Sequence, residues 1–495
     1  MKNKVKVGIV HLESAVYPKI APYNPSEKYP EYPFAEIEIG QKNYAYASLR
    51  ELFLNLGLDK ENYGAPRWNP FGYLIKPGMT VVIKPNFVLS RHPEKKDLYS
   101  IITHPAVLRA IADYCWIALK GEGRIIITDA PQYNCNFSEL IEATKLDEVC
   151  RFYSSCKGPS VELINLQPYW SKSLHMPSCI RQLPGDPKGN VTVNLGRDSA
   201  FYNCPNPQNY YGAVYHRQET MMHHTGEKQE YKVSRTIMDA DVFISVPKLK
   251  VHKKVGVTLN GKGLVGICTN KNYLVHYRLG TPSEGGDQFP ENVLTTTEKK
   301  IIKFERLMYD KFLARKSIPA EMVHRFIYGF LYLKVLKPLG LKVSLEKRLL
   351  DAGNWYGNDS AWRMVVDLLK IIYFADSSGN MSRTIQRKMF SIIDGVIGGE
   401  NKGPLSPDPK SSGVLIGGEN LIAVDLVATR LMGFDPQKLK QFSVLESDSF
   451  DFGVKSLNDI EVVCNNLDTI QCLNKSDNRC LNFKPYPGWV GHIEV

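Results

Sequence analysis

Through the first third of the chain, short apolar runs of strand type alternate with longer segments of helical spacing. Residues 5–10 alternate like a strand, residues 45–58 carry apolar side chains at helical intervals up to Gly57, and residues 79–83 form a β-branched run that empties into Lys84-Pro85-Asn86. Residues 105–119 predict a helix entered through Thr103, with Pro105 as an early helical residue. Residues 124–128 are the next strand, ending in Asp129-Ala130-Pro131, and residues 137–149 are helical again. This alternation predicts right-handed βαβ units and a mainly parallel open sheet flanked by helices, an α/β fold.

Residues 168–230 break the pattern: Pro, Asn, Tyr, Gly and His are frequent and only residues 190–195 alternate. An irregular insertion with an antiparallel hairpin is expected there, because long structureless loops are rare in compact domains. Sheet character returns at residues 241–246. Residues 297–375 are helical almost throughout, with interruptions at Pro319, Pro338 and Gly353. Strands at 390–393 and 413–416 and a helix at 422–432 complete a composite α/β domain over residues 1–440, followed by a C-terminal extension at 441–495. The most apolar part of the helical insertion is residues 326–343, FIYGFLYLKVLKPLGLKV. Its pattern suits a core helix broken at Pro338, while an interfacial helix in peripheral contact with a membrane or a lipid-linked substrate has the same signature.

Composition narrows the class. The 495 residues are 43% hydrophobic and 23% charged, ordinary globular material with ample capacity for a core. The net charge of +11 is spread along the chain without a purely basic block or a recognised nucleic-acid motif, so nucleic acid is not an expected partner. The ten cysteines include no C-x-x-C pair, which argues against a zinc ribbon or an iron–sulfur cluster and fits reduced, mostly buried thiols in a cytoplasmic protein. The start of the sequence lacks an h-region and a cleavage site, and no run of eighteen apolar residues predicts a transmembrane span.

Candidate chemistry collects where strands end. In open α/β sheets ligands bind outside the carboxyl ends of strands. Four such ends carry polar groups: Lys84 and Asn86, His104 at a helix entry where free N–H groups favour an anion, Asp129, and Lys248, Lys250 and His252 after the run VFISV. Strand period would put those last three on one face. The apolar, glycine-rich GVTLNGKGLVGI that follows is unlike an exposed charged edge. A second group is His276, Arg278 and Asp287, near Gly285-Gly286; a third is Trp355, Asn358, Asp359, Trp362, Arg363 and Asp367. Asp394 and Glu400 close a further strand and, with Asp129 and Asp287, would suit Mg²⁺ or another hard divalent cation. Asp425, inside a helix, reads as a packing or capping residue, and His223-His224 lies in the irregular insertion. Walker A, G-x-S-x-G and H-E-x-x-H sequences are absent, which disfavours P-loop, α/β-hydrolase and zincin chemistry.

At these residues the chain resembles the domain-of-unknown-function 362 family. The matching segments are VVIKPNFV, THPAVLRAI, RIIITDAP, DADVFISVPKLKVHKKVGVTLNGKGLVGI, SIIDGVIGGENKGP and GVLIGGENLIAVDLVATRLMGFDP. KNYLVHYRLGTPSEGGDQFP and NWYGNDSAWRMVVDLLKIIYFAD look like the long form of that family, with Val275 where the long form has Pro. Some relatives carry ferredoxin-like clusters, whose cysteine spacing this chain lacks. The resemblance implies a shared strand-end site without naming a reaction.

Two functional classes remain open on the sequence. One is an enzyme that holds a phosphate- or carboxylate-bearing substrate, with or without a linked sugar, with Lys84, Asn86, Lys248, Lys250, His276, Arg278, Asp287, Trp355, Asn358 and Arg363. In it His252 or His104 would move a proton, and Asp129 or Asp394 would orient it or hold a metal. The other is a protein that retains an anionic metabolite in the same crevice without turnover.

Overall fold

The computed structural model describes residues 4–12, 14–34, 39, 41–172, 180–212, 217–313, 317–338, 340, 342–474 and 480–495. Its centre is a large, mostly parallel mixed sheet flanked by helices on both faces, the expected α/β fold. The strands are β1 (Val5–His11), β2 (Thr80–Pro85), β3 (Arg124–Asp129), β4 (Ser160–Asn165), β5 (Val242–Val246), β6 (Lys248–His252), β7 (Gly256–Val257), β8 (Lys388–Glu400), β9 (Asp408–Gly418) and β10 (Ile460–Cys464). They lie in the order β10-β1-β9-β8-β5-β2-β3-β4, with β6 beside β8 and β7 beside β6. Pairing is parallel from β8 to β4 and between β10 and β1, whereas β9 runs antiparallel to both β1 and β8.

Successive side chains of a strand face opposite ways. Val82, Ile126 and Phe243 therefore join one core, while Val81, Ile83, Ile125, Ile127 and Ile244 join the other. Helices α1 (Tyr44–Leu56), α2 (Pro105–Leu119), α3 (Phe137–Thr144) and α4 (Leu146–Ser154) belong to the second face. The first face holds α5 (Leu259–Gly263), α7 (Ala361–Phe374) and α8 (Leu421–Leu431); α6 (Thr296–Met308) starts the helical insertion. The caps explain several boundaries. Asn43 accepts from Ala45 N and Gly57 closes α1 with φ 81°, while Asn420 accepts from the first-turn N–H groups of Ile422 and Ala423.

Departures from the expected pattern have local causes. The helix expected over 137–149 is two, because Lys145 adopts a left-handed conformation between α3 and α4. In the irregular insertion, the strand Asn190–Asn194 pairs with the distant Lys228–Ser234, and a helix at Arg217–His223, which the polar sequence conceals, lies between them. The three interruptions of the helical insertion are all element boundaries: Pro319 opens the helix Ile318–His324, Pro338 follows the helix Arg325–Leu336, and Gly353 lies before α7. The core helix expected within 326–343 is not one, because Phe326 and Phe330 are 67% and 52% exposed. The tail beyond residue 440 supplies edge strand β10 and buries Phe483, Tyr486 and Trp489. It also corrects the expectation of reduced thiols throughout, since Cys472 and Cys480 form a disulfide with Cα atoms 5.6 Å apart. No helix among the described residues is long and apolar enough to cross a membrane.

Candidate functional site

The long strand β8 organises the centre of the molecule. Its first half pairs with β5 and its second with β6, so β5 and β6 follow one another along a single neighbour. Pro247 interrupts them because it has no N–H to donate, although its carbonyl still accepts from Asp394 N at 2.9 Å. The register of β6 on β8 then shifts between Lys248 and Lys250. This irregularity divides two lysines that simple alternation would keep together.

Lys248 goes to a closed polar cluster. Its ammonium lies 2.9 Å from Asp394 Oδ2 and donates to the Tyr17 hydroxyl at 2.7 Å; both charged residues are fully buried. Tyr17 donates to Asp394 Oδ1 at 2.5 Å and stacks on the His104 ring at 4.0 Å. Asp394 Oδ2 also accepts from His104 N at the start of α2. The anion expected at that helix entry is thus the protein's own Asp394 carboxylate. His104 caps α2, with Nδ1 accepting from Ala106 N. Burial first, and Lys248 next, holds its ring well below the usual histidine range.

The other strand ends open on a cavity of about 420 Å³ at the carboxyl edge of β2, β3 and β6. Asn86, Asp129, Lys250, His252 and His276 all border it. Asp129 accepts from Phe87 N at 2.7 Å and pairs with Lys84 at 3.1 Å. The chain at Gly266 passes so close that a Cβ there would lie 1.8 Å from Asp129 Oδ1 and 2.7 Å from Lys84 Nζ. Lys250 donates to the carbonyls of Ile101 and Pro404.

Sequence reasoning passed over the cavity's other cations: Lys253, Lys254, Lys262, Lys271 and Arg306. Lys253 and Lys254 adjoin His252, and a lysine between two glycines in the apolar run GVTLNGKGLVGI was the available signal for Lys262. Lys262 lies on α5, held by Asp425, whose oxygens accept from Asn260 N and Gly261 N at 2.8 Å; this is the packing role expected for Asp425. Gly261 is needed for that contact, since a Cβ would meet Val365 at 2.9 Å. Lys271 donates to the carbonyls of Ala130 and Val265, Lys254 to that of Ala352, and Arg306 pairs with Asp351 at 3.0 Å. No hydrogen-bond or ion-pair partner is found for the Lys262 ammonium among the described residues.

Burial next to like charges disfavours the charged forms. Burial, reinforced by Lys271, lowers Lys262 to about 7, and burial lowers Lys271 to about 8. Lys250 and Lys254 are pushed well below the usual lysine range by burial first. Burial, then Lys262, keeps His252 and His276 well below the usual histidine range. Hydrogen bonds assign their tautomers. His252 Nδ1 accepts from Lys254 N at 3.0 Å, which leaves the proton on Nε2. His276 Nδ1 donates to the Leu274 carbonyl at 2.9 Å, which leaves a lone pair on Nε2. Two neutral rings of opposite polarity thus border one cavity, with stacked Tyr211 and Tyr277 as an aromatic wall.

The remaining sequence candidates lie outside this lining. Asp287 accepts from Arg278 N, Asp359 N and Ser360 Oγ, and Arg278 reaches the Asp359 carboxylate. Trp355 Nε1 donates to the Asp287 carbonyl, Asn358 accepts from the N–H groups of Ser360 and Ala361, and Arg363 pairs with Asp359. Together they fasten the start of α7 to the strand Val275–Arg278. Asp367 is similarly consumed by Ser199 and Tyr231. Of the four carboxylates expected to suit a divalent cation, Asp394 pairs with Lys248, Glu400 with Lys410 and Asp129 with Lys84, while Asp287 accepts from Ser360 Oγ. Among the described residues no group of three or more His, Cys, Asp or Glu side chains comes together as metal ligands.

The fold and cavity define an α/β protein with a cation-rich crevice at its sheet's carboxyl edge. The chain belongs to the family described as Domain of unknown function (DUF362), whose model matches residues 81–179 and 189–430. No curated protein matches it.

Proposed function

We propose that the protein is an enzyme that binds a phosphate- or carboxylate-bearing small molecule in this cavity and acts on it by proton transfer. The observation that carries the reading is a charge imbalance. Five lysines border the cavity, with Arg306 beside them already paired to Asp351, whereas its one carboxylate among the described lining residues, Asp129, is already paired with Lys84. Stacked cations that depress one another raise the affinity of a site for an anion, which relieves their repulsion. His276 Nε2 is the proton acceptor of the proposal and His252 Nε2–H the donor, a division of roles suited to general acid–base work. Tyr211 and Tyr277 give a sugar-linked substrate a face to rest on.

Calorimetric titration with inorganic phosphate, pyrophosphate and citrate at pH 6.5 tests the binding. Saturable binding that weakens at least tenfold in Lys253→Met/Lys262→Met is expected, and no saturable binding by any of the three would refute the anion site. Catalysis is tested by incubating the protein with a small-molecule metabolite extract and following anionic components by mass spectrometry. Depletion by the wild type but not by His276→Asn supports the enzyme. Anion binding without depletion by either supports retention without turnover.

A further inference from the structure

Beyond the cavity, the outer face of the helical insertion exposes large apolar side chains. The helix Ile318–His324 continues directly as Arg325–Leu336. Its inner side is accounted for, with Tyr328 and Tyr332 packed in a cluster with Phe289, Leu294, Ile301, Ile302 and Val343. Its outer side presents Ile318, Met322, Phe326 and Phe330 at successive i,i+4 positions, each more than half exposed, with Leu333 beside them. The Phe326 and Phe330 rings stack on one another at 5.8 Å in solvent. Large apolar side chains exposed in a continuous stripe mark a contact surface.

We infer that this face docks on an anionic lipid surface. Charge decides the occupant. Lys334, Lys337 and Lys342, all exposed, accompany the stripe against Glu346, while Arg325 is paired with buried Glu321 and Lys347 with Glu298. Apolar side chains flanked by snorkelling cations match the boundary between acyl chains and anionic headgroups. A second copy fits less well, because a self-complementary pairing repeats the same cation excess on both sides. No described helix can span a membrane, so the attachment is peripheral. Arg306 and Tyr309, before this outer helix in the chain, and Ala352, after it, line the cavity. Attachment would therefore bring a site for anionic groups to a surface that displays them; that last link rests on the proposed cavity function, whereas docking does not.

The test is co-sedimentation of the full chain with vesicles of phosphatidylcholine alone and with phosphatidylglycerol, alongside sedimentation velocity without vesicles. Binding to the anionic vesicles is expected, falling at least tenfold in Phe326→Ser/Phe330→Ser. Both rings are exposed, so thermal midpoint and circular dichroism should not change. Lys334→Glu/Lys337→Glu should abolish the preference for phosphatidylglycerol without changing the thermal midpoint. Absence of the protein from the anionic vesicle pellet would overturn the inference, as would binding indifferent to the phenylalanine changes. A dimer that those changes dissociate, without vesicle binding, would assign the face to a second copy instead. None of these readouts depends on the cavity's ligand, so failure here and failure of the proposed function are separable.

Discussion

Replacing Lys262 by methionine isolates the electrostatic argument. Methionine keeps much of the side-chain volume on α5 and removes a charge for which no partner is found among the described residues. The folded value of about 7 lies below the ordinary lysine value of 10.5, so between them the unfolded chain binds a proton that the folded one does not. Below about pH 7 both states are protonated and the full penalty for the buried charge is present. As pH rises from 7 to 10.5 that penalty disappears. A difference of this size corresponds to a penalty on the order of 4–5 kcal/mol at pH 6, shrinking to about 2 kcal/mol at pH 9. Lys262→Met should therefore stabilise the unliganded protein, and by ~2–3 kcal/mol more at pH 6 than at pH 9. For a chain of this length ~1 kcal/mol moves the thermal midpoint by ~1 °C, so the gain should differ by ~3 °C across that range.

The same substitution should weaken pyrophosphate binding. Binding that requires the Lys262 ammonium takes up a proton above pH 7, so wild-type affinity should fall by up to about tenfold per pH unit there, and the variant's dependence should be shallower by one proton. Differential scanning fluorimetry across pH 6–9, with and without pyrophosphate, measures both effects. A stability change independent of pH, or destabilisation at pH 6, would refute the placement of an uncompensated ammonium at this position.

Three other substitutions separate structural roles from site roles. Asp394→Asn leaves the buried Lys248 ammonium without its counter-charge and should lower stability by about 3–5 kcal/mol, read as a fall in thermal midpoint. Gly266→Ala forces a methyl group between Lys84 and Asp129, and calorimetry should show loss of anion binding even where circular dichroism reports retained secondary structure. Asp287→Ala removes the acceptor for Arg278 N, Asp359 N and Ser360 Oγ, and should cost about 2–4 kcal/mol of stability while leaving anion affinity per folded molecule unchanged. An Asp287 variant of normal stability with weakened binding would return that residue to the site.

The main-sheet strands and flanking helices were legible because their signals are local. Apolar runs, Gly57 and Pro105 mark their own boundaries, and periodicity requires no knowledge of the partner strand. The strand ends were legible for the same reason, which is why Asn86, Asp129, Lys250 and His252 were found and do meet at one cavity, joined there by His276 from the second group. Strand period failed at Lys248 because its environment depends on a break at Pro247 and on the register with β8, neither of which alternation within KLKVH records.

The deeper difficulty is that sequence displays charges without their counter-charges. Asp394 reads as a ligand until the fold places it on Lys248 and on the entry to α2, 290 residues away in the chain. Asp287 reads as a sugar or metal ligand until it is found holding α7. Lys262 reads as an ordinary lysine in a glycine-rich segment until α5 is fixed against Asp425 and its ammonium is left at a cavity wall without a carboxylate. In each case the chemistry of the residue is set by which opposite charge the fold supplies or withholds. A buried cation whose counter-charge is withheld is costly to keep, and that cost is what an anionic ligand relieves. The cavity is therefore distinguished less by how many lysines it has than by where the nearby carboxylates went.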